Sequence, residues 1–182
     1  PVWIGGIALA LAGFYLVKYS IESGLLSPAV RSVLGCLFGI GLLYAGNWVR
    51  QRNDFANGVR ISQSLTGAGI ACLYVSVYAS ASLYHLVSPL MGFAGMAVVT
   101  VIAVSLSLLH GIPIALLGLL GGFLTPALVR SGNAEASTLF IYLYFVFSGL
   151  MLVIRHKRWW WLSLPTLIAA FLWVITWLGT YY

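Results

Sequence analysis

Lys18, Glu22 and Arg31 are the first residues whose types and spacing carry chemistry. Lys18 and Glu22 stand four apart and share a face wherever one helix runs through both. Arg31 follows a short polar connection, in the first turn of the next apolar stretch. Two cations steered by one carboxylate suit an anion. Glu22 holds the cations apart, and Arg31 offers its planar fork to a phosphate oxygen or a lipid headgroup. The same three residues also make an interfacial ion-pair clamp, with the basic side chains reaching water along their stems. A proton relay through Glu22 is disfavoured, because it lies near a span end and not at mid-bilayer.

Gly118, Gly121, Gly122, Thr125 and Pro126 form a second constellation. Proline inside a helix removes one hydrogen bond and crowds the preceding turn. Two adjacent glycines just before it soften the chain further. A span of this kind is kinked or broken. A broken span exposes helix ends that hold ions or carboxylates in transporters. In the plainer alternative the glycines let helices pack closely and the proline only kinks the span.

The remaining candidates for chemistry do not assemble. His85 and His110 end different apolar stretches on opposite sides, and His156 sits among basic residues. Asp54 is the one Asp and has no histidine near it in sequence. Glu22 and Glu135 fall on one side, with nothing else to support a carboxylate pair. Cys36 and Cys72 lie mid-span and pack as small hydrophobes. No metal-ligand or haem-attachment spacing exists, so no metal, no cofactor and no catalytic set is expected.

The elements that must position these residues follow from the charge map. The chain has 182 residues, 62% hydrophobic and 7% charged. A soluble domain carries about 25% charged residues, so an ordinary water-soluble fold, a disordered chain and a disulfide scaffold are excluded. Ile61 to Val129 contains no Asp, Glu, Lys or Arg. A spanning helix needs about 20 apolar residues, so this gap holds three spans and two turns. With the flanking uncharged stretches the spans are Val2–Val17, Pro28–Val49, Ile61–Leu83, Leu90–Leu109, Ile114–Val129, Ala136–Ile154 and Trp159–Leu178. The apolar runs are continuous and do not alternate, which disfavours a β-barrel. The expected fold is an all-α polytopic transmembrane bundle of about seven spans, a single domain over residues 1–182, with the fifth span kinked or broken.

Ser27-Pro28 and Ser88-Pro89 are helix starts, because serine caps an orphan N–H and proline at the first position loses nothing. Leu25-Leu26-Ser27-Pro28 and Leu86-Val87-Ser88-Pro89 form a weak internal echo of paired spans. Arg50, Arg52, Arg60, Arg155, Lys157 and Arg158 lie on one side, and Lys18, Arg31 and Arg130 on the other. The basic excess places the start of the first span in the cytoplasm. Arg155, Lys157 and Arg158 with Trp159, Trp160 and Trp161 make an interfacial anchor, since indole rings favour the headgroup level. The net charge of +6 is spent at span ends, so nucleic acid is not an expected partner. Pro1 runs straight into an apolar span without a charged leader, so the chain reads as part of a longer multi-span protein.

Three stretches together resemble a known family: FYLVKYSIESGLLSPAVR from Phe14, LTGAGIACLY with LYHLVSP between Leu65 and Pro89, and ALLGLLGGFLTPAL from Ala115. The sequence is similar to the bacterial predicted membrane proteins grouped as domain-of-unknown-function family 2339. The likeness extends to RHKRWWWL near the end. It implies a large multi-span protein of the bacterial cytoplasmic membrane, without an established activity. The family pattern falls on Lys18, Glu22, Gly24, Pro28, Arg31, Gly67, Gly69, Tyr74, Gly121, Gly122, Phe123 and Pro126, and assigns a role to none of them.

Three functions stay open. The first is transport or handling of a lipid or small solute, which needs a water-reachable face on the fifth span near Ser76, Thr100 and Ser105. The second is a membrane scaffold or assembly subunit, consistent with the lack of mid-span charges and amides. The third is an envelope enzyme whose catalytic residues lie outside this chain. The expected partners are membrane lipids and further spans or other membrane subunits.

Overall fold

The computed structural model describes residues 2–22, 27–52, 57–128 and 136–181, and these are built of helices joined by short turns. In chain order they are α1 (Val2–Glu22), α2 (Pro28–Gln51), α3 (Gly58–Tyr78), α4 (Pro89–His110), α5 (Ile112–Leu128), α6 (Ala136–Lys157) and α7 (Ser163–Tyr181). A π-helical turn, Ala79–Leu83, extends α3, and a 3₁₀ turn, Trp160–Leu162, precedes α7. Each apolar stretch of the sequence becomes one helix, so the all-α bundle is the observed fold. Among the described residues four stretches are long and apolar enough to cross a bilayer: Pro28–Gln51, Gly58–Leu83, Pro89–His110 and Phe140–Lys157. At 17 residues, α5 is about 25 Å long, short of the roughly 30 Å hydrocarbon core.

Local chemistry sets the helix ends. Ser27 Oγ accepts from the Val30 N–H at 3.4 Å and Ser88 Oγ from the Met91 N–H at 3.3 Å, each just before a first-turn proline. Gly111 turns α4 into α5 at φ +90°, a conformation that L side chains avoid. Its N–H returns to the Ser107 carbonyl at 2.8 Å, and Gln63 Nε2 of α3 donates to the His110 carbonyl at 2.7 Å. At the end of α6, Arg158 takes the left-handed conformation at φ 58° and the Trp159 N–H reaches back to the Ile154 carbonyl at 3.1 Å. This is the six-to-one bond of a glycine-type helix stop. An arginine there carries a backbone cost of about 1 kcal/mol. Arg158→Gly is therefore expected to raise unfolding stability in micelles by about 1 kcal/mol, read from a denaturation midpoint. No gain would mean that the turn relaxes elsewhere.

Packing rests on small residues. The α2–α3 seam is antiparallel, with Gly46 against Thr66, Gly39 against Gly69 and Leu73, and Gly35 against Ser76. A Cβ at Gly69 would lie 2.8 Å from the Gly39 carbonyl oxygen, so the backbones touch. Ser62 Oγ of α3 donates to the Gly46 carbonyl across the seam at 2.7 Å. On the other flank, α1 lays Gly6 on Ser64 and Gly13 on Cys72 and Phe38.

At the centre stands α5. Its Ile114 packs with Ile70, Leu73, Val99 and Ala103, its Leu119 and Phe123 with Tyr142, Val146 and Leu150, and its Ala115 with Ile154 and Leu162. The outer surface is apolar: Leu37, Ile40, Tyr44, Val98, Val101, Phe145, Phe171 and Ile175 are all exposed. Contiguous apolar area on that scale is unstable in water and natural in lipid.

Candidate functional site

Pro126 sits inside α5 and organises the centre of the bundle. It has no N–H, so the carbonyl of Gly122, four residues earlier, loses its helical partner. In a bilayer interior no water replaces that bond. Tyr142 of α6 fills the gap, its hydroxyl donating to the Gly122 carbonyl at 2.8 Å. Trp173 of α7 donates its indole N–H to the adjacent Phe123 carbonyl at 2.7 Å. Thr125 Oγ1 donates to the Gly121 carbonyl at 2.7 Å. From the other side Tyr74 of α3 donates to Thr100 Oγ1 of α4 at 2.9 Å, and Thr100 Oγ1 donates to the Met96 carbonyl at 2.9 Å. Five helices thus meet around one proline.

This geometry decides between the two forms of the fifth span. α5 is continuous from Ile112 to Leu128 and does not break at Gly121–Pro126. The one carbonyl freed by the proline, Gly122, is taken by Tyr142 of α6, and the next carbonyl, Phe123, also accepts from Trp173 of α7. The glycines serve packing. Gly121 lies under the Tyr74 ring, Gly122 under Thr100 and Val146, and Gly118 against Ala103 and Val104. Thr100 and Ser76 are buried, whereas Ser105 is exposed on the outer face of α4 and so lies away from α5.

The edge residues gather on one end. α1 runs past Val17 to Glu22, so Lys18 and Glu22 do lie four apart on one helix. The Lys18 side chain is exposed, and the Glu22 side chain lies outside the described residues. Arg31 is 8% exposed, and its Nε is buried without a hydrogen-bond partner. The α2–α3 seam continues one turn beyond Gly35 and Ser76, which sets Arg31 beside the π-turn. That turn is held by the Tyr84 N–H to the Ala79 carbonyl at 2.9 Å and by Ser80 Oγ to the Ser76 carbonyl at 2.6 Å. Tyr84 Oη, at the same end of the bundle, is also buried and unpartnered.

Between α1, α2 and α3 an apolar groove of about 310 Å³ opens, lined by Leu11, Phe14, Gly35, Phe38, Cys72 and Val75 among others. A second apolar groove, about 280 Å³, separates α6 from α7 along Phe140, Phe147 and Phe171.

At the opposite end, Arg155, Lys157 and Arg158 are exposed, as are Trp160 and Trp161. Trp159 differs: it is half-buried and packs on Ala115, Ile154 and Leu162. Two of the three indoles therefore face outward and one closes the core. At the end of α2, Arg52 stacks over Trp48 at 4.7 Å. His110 is buried, with Nδ1 3.2 Å from the Leu106 carbonyl and Nε2 unpartnered. Among the described residues no group of three His, Cys, Asp or Glu side chains gathers. Asp54, Arg130 and Glu135 lie outside the described residues.

Sequence reasoning missed Tyr142 and Trp173, and named Tyr74 only as a family-pattern position without a role. The signal was available: a tyrosine or tryptophan in mid-span carries a donor that must find a partner.

One protein-family model matches residues 1–182, and its description is a predicted membrane protein, DUF2339. No curated protein and no solved structure matches the chain.

Proposed function

The chain belongs to that family of predicted membrane proteins, and from this premise we propose that it is a multi-pass, lipid-handling module of a bacterial cytoplasmic membrane. The observation that carries the proposal is a contrast between the centre and the flank. The central donors of Tyr74, Thr100, Tyr142 and Trp173 are all spent inside the protein. A solute path needs groups that exchange bonds with a passing solute, and among the described residues no unpartnered polar side-chain atom lies in that cluster. The two larger grooves are instead peripheral and apolar. An acyl chain suits such a groove. The six cations at the Arg50 and Arg155 end favour a cytoplasmic placement for that end.

A scaffold role is the second reading. Gly41, on α2 near the exposed Ile40 and Tyr44, meets nothing within 4 Å, so a partner helix has room to approach there. No catalytic set is proposed.

Single cysteines along Ile112–Leu128, with Cys36 and Cys72 replaced by Ala, test the closed centre. An impermeant thiol reagent is expected to label only the ends of α5, from either side. Labelling that passes Gly121 along one face would mean a water path and would restore the transport reading.

A further inference from the structure

We propose that the groove between α1, α2 and α3 takes one acyl chain of an anionic phospholipid and that the lipid phosphate lies on Arg31; this rests on the lipid-handling reading above. Arg31 is 8% exposed and its Nε has no partner. A guanidinium stays protonated in proteins, and an uncompensated buried cation is strongly destabilising. A compensating anion is therefore expected, and a planar fork fits a phosphate through two parallel bonds.

The position of Arg31 identifies the source of that phosphate. Gly35 lines the groove, and Arg31 is one turn nearer the start of α2 on the same stripe. Pro28 opens that helix, so Arg31 lies about 4.5 Å along the axis from its first residue. That is headgroup depth at the mouth of an acyl-sized groove. On α1, Phe14 lines the groove and Lys18 follows one turn later, at the same mouth. The start of α2 adds its own partial positive charge. A phosphodiester with an uncharged headgroup is favoured in this field. A zwitterionic lipid brings an ammonium group into it and is disfavoured. Free inorganic phosphate shares the chemistry but leaves the groove empty.

The test uses the whole chain in vesicles, with phosphatidylglycerol and phosphatidylethanolamine carrying a photoreactive group in the acyl chain. Adducts are mapped by peptide mass spectrometry. Groove adducts near Leu11–Phe14 and Cys72–Val75 are expected, with the glycerol lipid favoured by about tenfold or more, the scale of a charge-assisted hydrogen bond. Arg31→Gln is expected to abolish the preference and keep the adduct positions. Arg31→Lys, which keeps charge without the fork, is expected to retain part of it. Glu22→Gln, which removes a negative charge from the end of α1, is expected to strengthen it. Val75→Trp, which fills the groove, is expected to lower adducts from both lipids.

Equal yields from the two lipids in the unmodified chain, with groove adducts present, overturn the Arg31 site and leave lipid handling intact. No groove adduct from either lipid overturns both. Loss of preference in Glu22→Gln equal to that in Arg31→Gln means an internal ion pair and overturns the site. Displacement of the glycerol lipid by millimolar inorganic phosphate assigns Arg31 to free phosphate and overturns the lipid assignment. The comparison in the unmodified chain does not depend on whether any variant folds.

Discussion

Tyr142→Phe is expected to destabilise the protein by about 1–2 kcal/mol, and the loss is expected to vanish when Pro126 is also replaced by Ala. The hydroxyl of Tyr142 donates to the Gly122 carbonyl at 2.8 Å. That carbonyl is free only because position 126 has no N–H. Removing the hydroxyl leaves an acceptor stranded in the hydrocarbon layer, which costs more than an ordinary interhelical bond. Such bonds average about 0.6 kcal/mol between membrane helices. Pro126→Ala restores an N–H at the right register, so the Tyr142 donor becomes dispensable. A double-mutant cycle measured by denaturant unfolding in micelles isolates this coupling. Additive losses would mean that the Tyr142 hydroxyl acts through Thr100 Oγ1, 3.5 Å away, and not through the proline. Trp173→Phe, which removes the donor to the neighbouring Phe123 carbonyl at 2.7 Å, is expected to show a smaller coupling to Pro126, because that carbonyl is not the one the proline frees.

This coupling marks where the sequence stops being legible. Helix positions were readable because lipid forces every backbone group into a helix and charges cluster at the ends. Ser27-Pro28 and Ser88-Pro89 were readable because a cap and its helix are neighbours in sequence. Pro126 was visible as a defect, but its repair was not. The donors come from α6 and α7, 16 or more positions away, and no local spacing pairs Tyr142 with Gly122. A broken helix and a stapled helix therefore look alike until the neighbours are placed. Arg31 poses the reverse case. Its chemistry was legible in the sequence, whereas its burial beside the π-turn came only from the α2–α3 seam. Trp159 was grouped with its neighbours by composition, and a left-handed residue at Arg158 turned it inward.

Gly121→Val is expected to cost about 3 kcal/mol or more, as overpacking in a close-fitted core does, and to deplete the folded protein in the membrane. A Cβ at Gly121 would fall inside the Tyr74 ring. That ring is held in place by its hydrogen bond to Thr100 at 2.9 Å, so it cannot swing aside without stranding a hydroxyl. Gly41→Val is the control. Nothing lies within 4 Å of its Cβ direction, and the expected change is within about 0.5 kcal/mol. The two glycines have the same helix propensity, so a difference between them measures space and not chain softness. Tyr74→Ala in the Gly121→Val background is expected to recover part of the loss, because it empties the contested volume. Equal costs at positions 121 and 41 would instead mean that backbone flexibility before Pro126 matters more than the ring. A hinge in α5 would then regain the ground that its filled carbonyls deny it. With unequal costs, the paired glycines exist to admit Tyr74 and Thr100, and the proline exists within a seam that five helices close.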